Sequence, residues 1–354
     1  MHISTPARAG GTRARPVSRT LGFLALVVPG LTVGCDLDST APASTPTIAR
    51  IASTEWLGTR AGLFIQQGSA ERVRVTFTGA VDEIPGNSPY VPPVRDENFR
   101  ALGPISWSPD GSRLAMVTTL AFDQSEVVVV NADGSNARVA SVNSQIILAD
   151  PDWSPDGTRL VYAMSTMAHA QGVELFTTNL ATNHVQRLTH DRRYRPVGGS
   201  VRFASTGSSI LYGTVISEGG APLFESQSEI WRMDLATGAS TKLASVTGTV
   251  QGVARSGAWA LVLKRKAYVD GDYDYALVRE AIGGGTSTTL IDGGRLAYAR
   301  LTNDDARAMV VRNESPVRGE SALHWYTLPT TGGTMAAVRG TNGATIAANA
   351  FFMR

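Results

Sequence analysis

Cysteine is nearly absent from this chain: Cys35 stands alone in 354 residues, so no disulfide framework is available. Histidine is scarce as well. Of five, His2 lies at the extreme N-terminus, and His169, His184, His190 and His324 show no H-x-x-x-H or Cys/His spacing, which leaves a zinc site without support. No apolar run reaches the ~20 residues that a membrane-spanning helix needs. No G-x-S-x-G occurs, so the nucleophile elbow of the α/β-hydrolases is missing. Charge of one sign is lacking too. The formal net charge is +2, but residues 1–34 hold four Arg and no acid, and without them 28 basic residues face 30 acidic ones. Such a balance gives no global electrostatic case for nucleic acid. What remains is an ordinary globular composition, 43% hydrophobic and 18% charged, with 36 Gly that point to a turn-rich fold.

The N-terminus reads as an address. Arg8, Arg13, Arg15 and Arg19 precede an apolar run over residues 21–33, broken at Pro29-Gly30. At about a dozen residues it matches a signal-peptide core rather than a membrane span. "LTVGC" follows and resembles a bacterial lipobox, with Gly34 and Cys35 in place and Thr32 where an aliphatic residue is preferred. The resemblance implies a signal peptide over 1–34 and lipid attachment at Cys35, an anchor that works through buried methylenes. Residues 35–46, rich in Ser, Thr, Pro and Ala, read as a flexible tether.

The rest of the chain is a repeat. "WSPDGSRLAMV" at Trp107 returns as "WSPDGTRLVYA" at Trp153 and "FASTGSSILYG" at Phe203, then in degraded form at Val253 and Leu301, with spacings of 46, 50, 50 and 48 residues. A second string, "EVVVVNADGSNARVA", keeps the same period. Short alternating runs rich in Val, Ile, Leu and Tyr are strand patterns. "SPDG" suits a tight turn, and "NADG" and "LATG" suit hairpins with a positive φ at Gly or Asn. Each unit therefore holds four strands, and four-stranded units of this period are propeller blades. The Trp, Phe, Val or Leu position is expected to pack between neighbouring blades.

Five units span about 99–340. A sixth is assembled from the ends. "TIARIAS" and "GLFIQQGSAERVRV" supply strands two to four, and "ATIAANAFF" near the C-terminus supplies the missing first strand. This predicts an all-β fold: a six-bladed β-propeller of four-stranded antiparallel blades over 47–354, with N-terminal strands and a C-terminal strand closing one blade. Closure of that kind removes exposed sheet edges. A proline-rich insertion loop falls at about 80–98, of a length that is often functional.

The "WSPDG(S/T)RL" frame followed by "VVVVNADGSNAR" resembles the TolB-type, WD-like propeller repeat of bacterial envelope proteins. The resemblance covers about 47–354. It is specific in blades 2 and 3 and weak in blades 5 and 6. Nothing between Cys35 and Thr47 could encode the α/β domain that precedes the propeller in TolB. The same repeat occurs in peptidases of the prolyl oligopeptidase type, whose hydrolase domain has no counterpart here. Propellers host many functions, so the fold alone settles none.

Several motifs invite a chemical reading. "HDRRYRP" joins blade 3 to blade 4 and reaches the face around the central channel. There Arg192, Arg193 and Arg195 could grip carboxylates and Tyr194 could stack, unless the string is simply a solvated loop. "DGDYDY" over 270–275 alternates three carboxylates, as a Ca²⁺ loop does, but Tyr275 and Ala281 stand where that loop needs Gly and Glu, and a hairpin turn explains it equally. Asp110 and Asp156 read as turn formers. The basic string over 264–266 reads as a solvated strand end, and "GGGTS" as a turn. Acids from different blades could converge in the channel without any trace in the sequence. The expectation is a non-enzymatic, lipid-anchored β-propeller of the cell envelope, on the periplasmic or cell-surface side. It needs no cofactor or metal and binds no nucleic acid. It serves as an interaction platform for an envelope protein or a peptidoglycan-associated partner. The rivals are a lyase or glycan hydrolase working in the channel, and a small-ligand or metal sensor.

Overall fold

Alternating side chains make the strands, and the repeat groups them. The computed structural model describes residues 50–57, 60–67, 73–76, 101–121, 124–141, 146–147, 151–165, 173–190, 201–216, 227–269, 272–316 and 322–338, all within the unit Thr47–Arg354. They form strands and turns throughout. Sheet 1 consists of β1 (Arg50–Leu57), β2 (Arg60–Gln67) and β3 (Val73–Val75). Blade 2 holds β4 (Ala101–Trp107), β5 (Arg113–Ala121), β6 (Gln124–Asn131) and β7 (Arg138–Val139). Blade 3 has a split inner strand, β8 (Ile146–Ile147) and β9 (Asp152–Trp153), both paired with β10 (Arg159–Ser165), then β11 (Val173–Asn179) and β12 (His184–Arg187). Blade 4 holds β13 (Val201–Phe203), β14 (Ser209–Ile216), β15 (Gln227–Asp234) and β16 (Ser240–Thr247). Blade 5 holds β17 (Thr249–Val253), β18 (Trp259–Val269), β19 (Asp272–Ala281) and β20 (Thr288–Ile291). Blade 6 holds β21 (Leu296–Leu301), β22 (Arg307–Asn313), β23 (Leu323–Pro329) and β24 (Ala336–Ala337).

Every sheet is an antiparallel meander, so the all-β propeller of four-stranded blades is as expected. The count of six complete blades is corrected. The described residues give five blades plus a three-stranded sheet 1. The C-terminal segment that was to complete sheet 1, the insertion at about 80–98, the signal region 1–34 and the tether 35–46 lie outside the described residues.

Both faces of a blade are buried. Leu114 and Met116 of β5, with Val128 and Val130 of β6, pack with Leu63 and Val75 of sheet 1. The intervening Ala115, Val117, Val127 and Val129 pack against blade 3. This explains why "VVVV" is apolar at every position instead of alternating: a sheet covered on two sides needs no polar face. Trp153, fully buried, sits between blades 2 and 3. Phe203 fills the same place between blades 3 and 4, Val253 between 4 and 5, and Leu301 between 5 and 6.

The Arg of the motif staples one copy to the next. The Arg113 guanidinium lies 4.8 Å over the Trp153 ring, and its Nη2 donates to Gly157 O at 2.8 Å. Arg159 repeats this on Phe203 at 5.3 Å and on Gly207 O at 2.7 Å. The turn itself is held by its aspartate. Ser108 Oγ donates to Asp110 at 2.5 Å and Ser112 N at 3.1 Å, which keeps that carboxyl well below the usual range. Asp156, bound first by Ser154 and then by the Thr158 N–H, is pushed down to about 2. Gly111, Gly157, Gly207 and Gly257 close these turns with φ near +70° (69°, 68°, 70° and 72°), where a Cβ is strained.

Trp153→Ala should lower the unfolding free energy by about 3–5 kcal/mol through the void it leaves between blades. Arg113→Ala should cost about 1–2 kcal/mol, one stacked cation and one hydrogen bond. Urea denaturation orders the two, and an equal or larger loss for Arg113→Ala would show that the aromatic residue is not the inter-blade anchor.

Candidate functional site

The residue just before each inter-blade anchor lies in the first strand of its blade. In blades 2 to 6 that residue is Ser106, Asp152, Arg202, Gly252 and Arg300. Two positions after the anchor, where blades 2 and 3 have Pro109 and Pro155, blades 5 and 6 have Arg255 and Asn303. From these positions Asp152, Arg202, Arg255, Arg300 and Asn303 reach other blades.

Asp152 of β9 is buried and accepts three donors. Arg255 grips it with both guanidinium nitrogens, Nη2 to Oδ1 at 2.8 Å and Nη1 to Oδ2 at 3.1 Å, and the Phe203 N–H reaches Oδ2 at 2.8 Å. Arg255 also donates to the carbonyls of Phe203 at 3.1 Å and Asn303 at 3.0 Å. Arg202, likewise buried, pairs with the carboxylate of Asp305 and donates Nη2 to Thr302 O at 3.0 Å. Its Nε stands 4.0 Å from Asp152. The other oxygen of Asp305 accepts the Arg255 N–H at 2.6 Å. Blade 6 then reaches blade 2: Arg300 Nη1 donates to Ile105 O at 2.8 Å, and Asn303 Nδ2 to Trp107 O at 2.7 Å.

Some of these links join neighbouring blades, but three kinds skip one: Asp152–Arg255 joins 3 to 5, Arg202–Asp305 joins 4 to 6, and Arg300 and Asn303 join 6 to 2. Two Asp and two Arg make a neutral set in which each charge faces an opposite one. Asp305 shows what the arrangement demands. It occupies the turn position held by Gly in the other copies and takes the same left-handed backbone, φ 60°. A non-Gly residue there is uncommon and strained. A glycine would leave Arg202 without its carboxylate.

Carboxylates and arginines do converge at the centre, as a channel enzyme would require, but they are committed to one another. The arrangement can hold inner strands in register; it presents no nucleophile with a base beside it. Sequence reasoning missed all four residues. The available signal was a charged residue immediately before the repeat's large apolar one, in "DW" and "RF", and the two substitutions in the turns at 255 and 305.

A second electrostatic feature lies on the third strands. Glu126, Glu174 and Glu229 share one place in blades 2, 3 and 4. Glu174 accepts Arg187 at 2.7 Å together with Thr189 Oγ1, and Glu229 accepts Lys242 at 3.0 Å. The corresponding residue of β7 is Val139, opposite Val128 just as Arg187 is opposite Phe176. Glu126 is buried, and burial pushes its carboxyl up to about 7.

The expected site residues fall as follows. Cys35, Arg192, Arg193, Tyr194 and Arg195 lie outside the described residues. Asp110 and Asp156 are turn formers. His184 and His190 are exposed, and among the described residues no group of three or more His, Cys, Asp or Glu could hold a metal ion. "DGDYDY" is the end of the β18–β19 hairpin, with 270–271 outside the described residues.

No family model matches the chain. The Tol-Pal system protein TolB of Francisella tularensis subsp. holarctica is 30% identical over 118 residues, which span 33% of this chain and 24% of that protein. The matched stretch is thus about a quarter of the curated relative. TolB from Acinetobacter baumannii superposes with a TM-score of 0.56 at 15% identity, covering 80% of this chain and 62% of that one. An acylaminoacyl peptidase of Pyrococcus horikoshii aligns at a TM-score of 0.42 and 14% identity, over 70% of this chain and 38% of that one, a depth that decides nothing about chemistry. The chain is similar to TolB both in its repeat sequence and in its propeller fold.

Two tests follow from the charges. Asp152→Ala leaves Arg255 facing a buried void and should cost about 3–5 kcal/mol, with part recovered in Asp152→Ala/Arg255→Met. A double-mutant cycle with no coupling would remove the pair from the fold's support. For Glu126, the folded state holds its proton more tightly than the unfolded chain, whose carboxyl titrates near 4.5. Stability should therefore fall as pH rises from about 4.5 to about 7 and level off above. The difference in unfolding free energy between wild type and Glu126→Gln, followed from pH 4 to 8, isolates this effect.

Proposed function

We propose that this protein is a lipid-anchored β-propeller that serves as a non-enzymatic interaction platform in the bacterial cell envelope. The observation that carries the reading is the likeness to TolB, seen in sequence over 118 residues and in fold. TolB is named for the Tol-Pal system, and a partner of that kind, an envelope protein or a peptidoglycan-associated one, is the class assigned here. The pairing of Asp152, Arg202, Arg255 and Asp305 with one another supports a structural rather than a chemical role for the centre.

In this reading residues 1–34 are the signal peptide, Cys35 carries the lipid and 35–46 hold the propeller off the membrane, on the periplasmic or cell-surface side. β1 corresponds to the second strand of the other blades, so sheet 1 calls for an inner strand, a role this reading gives to residues 344–352. Arg192, Arg193, Tyr194 and Arg195 contact the partner, the arginines through its carboxylates.

Crosslinking and pull-down of the tagged protein from intact cells tests the platform. Specific envelope proteins should be recovered with wild type, lost with Cys35→Ala, and reduced when Arg192, Arg193, Tyr194 and Arg195 are changed together to Ala. Recovery of a glycan or peptide in place of any protein would favour a channel lyase, a glycan hydrolase or a ligand sensor. Deletion of 344–354 should expose the edge of β1 and promote self-association, visible by light scattering.

A further inference from the structure

Among the described residues, the second and third strands of blade 5 are longer than their counterparts. β18 has 11 residues and β19 has 10, whereas the matching strands of the other blades have 7 to 9 (β5 9, β6 8, β10 7, β11 7, β14 8, β15 8, β22 7, β23 7). The extra residues lie toward the hairpin end and lengthen the paired strands by on the order of 10 Å, at ~3.3 Å per residue. A register shift between Arg265 and Ala267 leaves Lys266 as an extra residue. That shift decides the geometry. Without it Arg265 and Tyr268 would point to opposite faces; with it both share one face with Tyr273 and Tyr275. It is the face on which Leu263, Tyr275 and Leu277 enter the core between blades 5 and 6.

The face therefore runs out of the core as an aromatic ledge. Tyr275 is buried, Tyr273 is half-buried and Tyr268 is 60% exposed. The Tyr268 and Tyr273 rings stand 4.6 Å apart at 47°, and Tyr273 is 6.2 Å from Tyr275 at 44°. The Arg265 guanidinium lies 5.4 Å over Tyr273, so the ring pair is held before any ligand arrives. Beside it Lys266 is neutralised by Asp292 at 2.6 Å, and Asp274 stands opposite Ala267 in the strand next to Arg265.

We infer that this ledge is a saccharide-binding site, taking a neutral pyranose chain across Tyr268 and Tyr273. The charge balance selects against a polyanion. A protein partner needs about 800 Å² of surface with an apolar centre, and Tyr268 is the one exposed large hydrophobic residue of blade 5 among the described residues. A pyranose matches what is there: a flat face of C–H groups to lie on an exposed ring, and hydroxyls around it for the phenol oxygens and the polar rim. The inference stands independently of the proposed partner and of the channel.

Isothermal titration of the folded propeller with chitotetraose and, separately, cellotetraose tests it. At least one should bind saturably at millimolar or lower concentration. Tyr268→Ala should weaken binding about tenfold or more, and Tyr268→Phe, which keeps the ring, should stay within about threefold. Because Tyr268 is exposed, both variants should unfold at the wild-type temperature, which separates a lost site from a lost fold. Failure of both sugars to bind saturably, or equal binding by wild type and Tyr268→Ala, would overturn the assignment.

Discussion

A blade of this protein cannot exist alone, because both of its faces are apolar. Val127 and Val129 look toward one neighbour, Val128 and Val130 toward the other. Burial of that second face is the constraint from which the arrangement of blades follows. It accounts for the apolar side chain at each blade boundary, over which, at the boundaries after blades 2 and 3, an arginine stacks and grips the next turn. The repeated string that is conspicuous in the sequence is a joint: each copy supplies half of the contact with its neighbour.

The centre obeys a different rule. Apolar packing joins each blade to the next, whereas the two closest inner ion pairs join blades that are not adjacent. Asp152 and Arg202 meet Arg255 and Asp305 over separations of about 100 residues. Charges taken out of water must find opposite partners at good geometry, and the two turns that supply them have given up the repeat's own residues. Arg255 replaces a proline and Asp305 replaces a glycine at a positive φ. The copies that look most degraded supply one partner of each central ion pair, and better-kept copies supply the other.

Equivalent positions need not have equivalent electrostatics. Three blades carry a glutamate at the start of the third strand, and two of them answer it with a cation from the fourth. The valine that takes its place in blade 2 leaves Glu126 with a proton that the fold prefers to keep. Blade 5 departs in another way, through one extra residue in β18, which turns a solvated strand end into an aromatic ledge.

Much of this was legible in the chain itself, because the determinants are local. Alternation marked the strands, Gly and Asp marked the turns, and the period marked the blades and the residue between them. Arg113 could be seen to recur, though not what it touched. Tertiary structure alone decided the rest. Whether Asp152 meets Arg255 depends on where two strands lie around a ring, and a strand's own sequence holds no record of the blade opposite. Whether Tyr268 shares a face with Arg265 depends on a one-residue bulge, which reverses every side chain beyond it and leaves the composition unchanged. Pattern reads what each residue needs nearby; only the closed arrangement of sheets determines which distant group provides it.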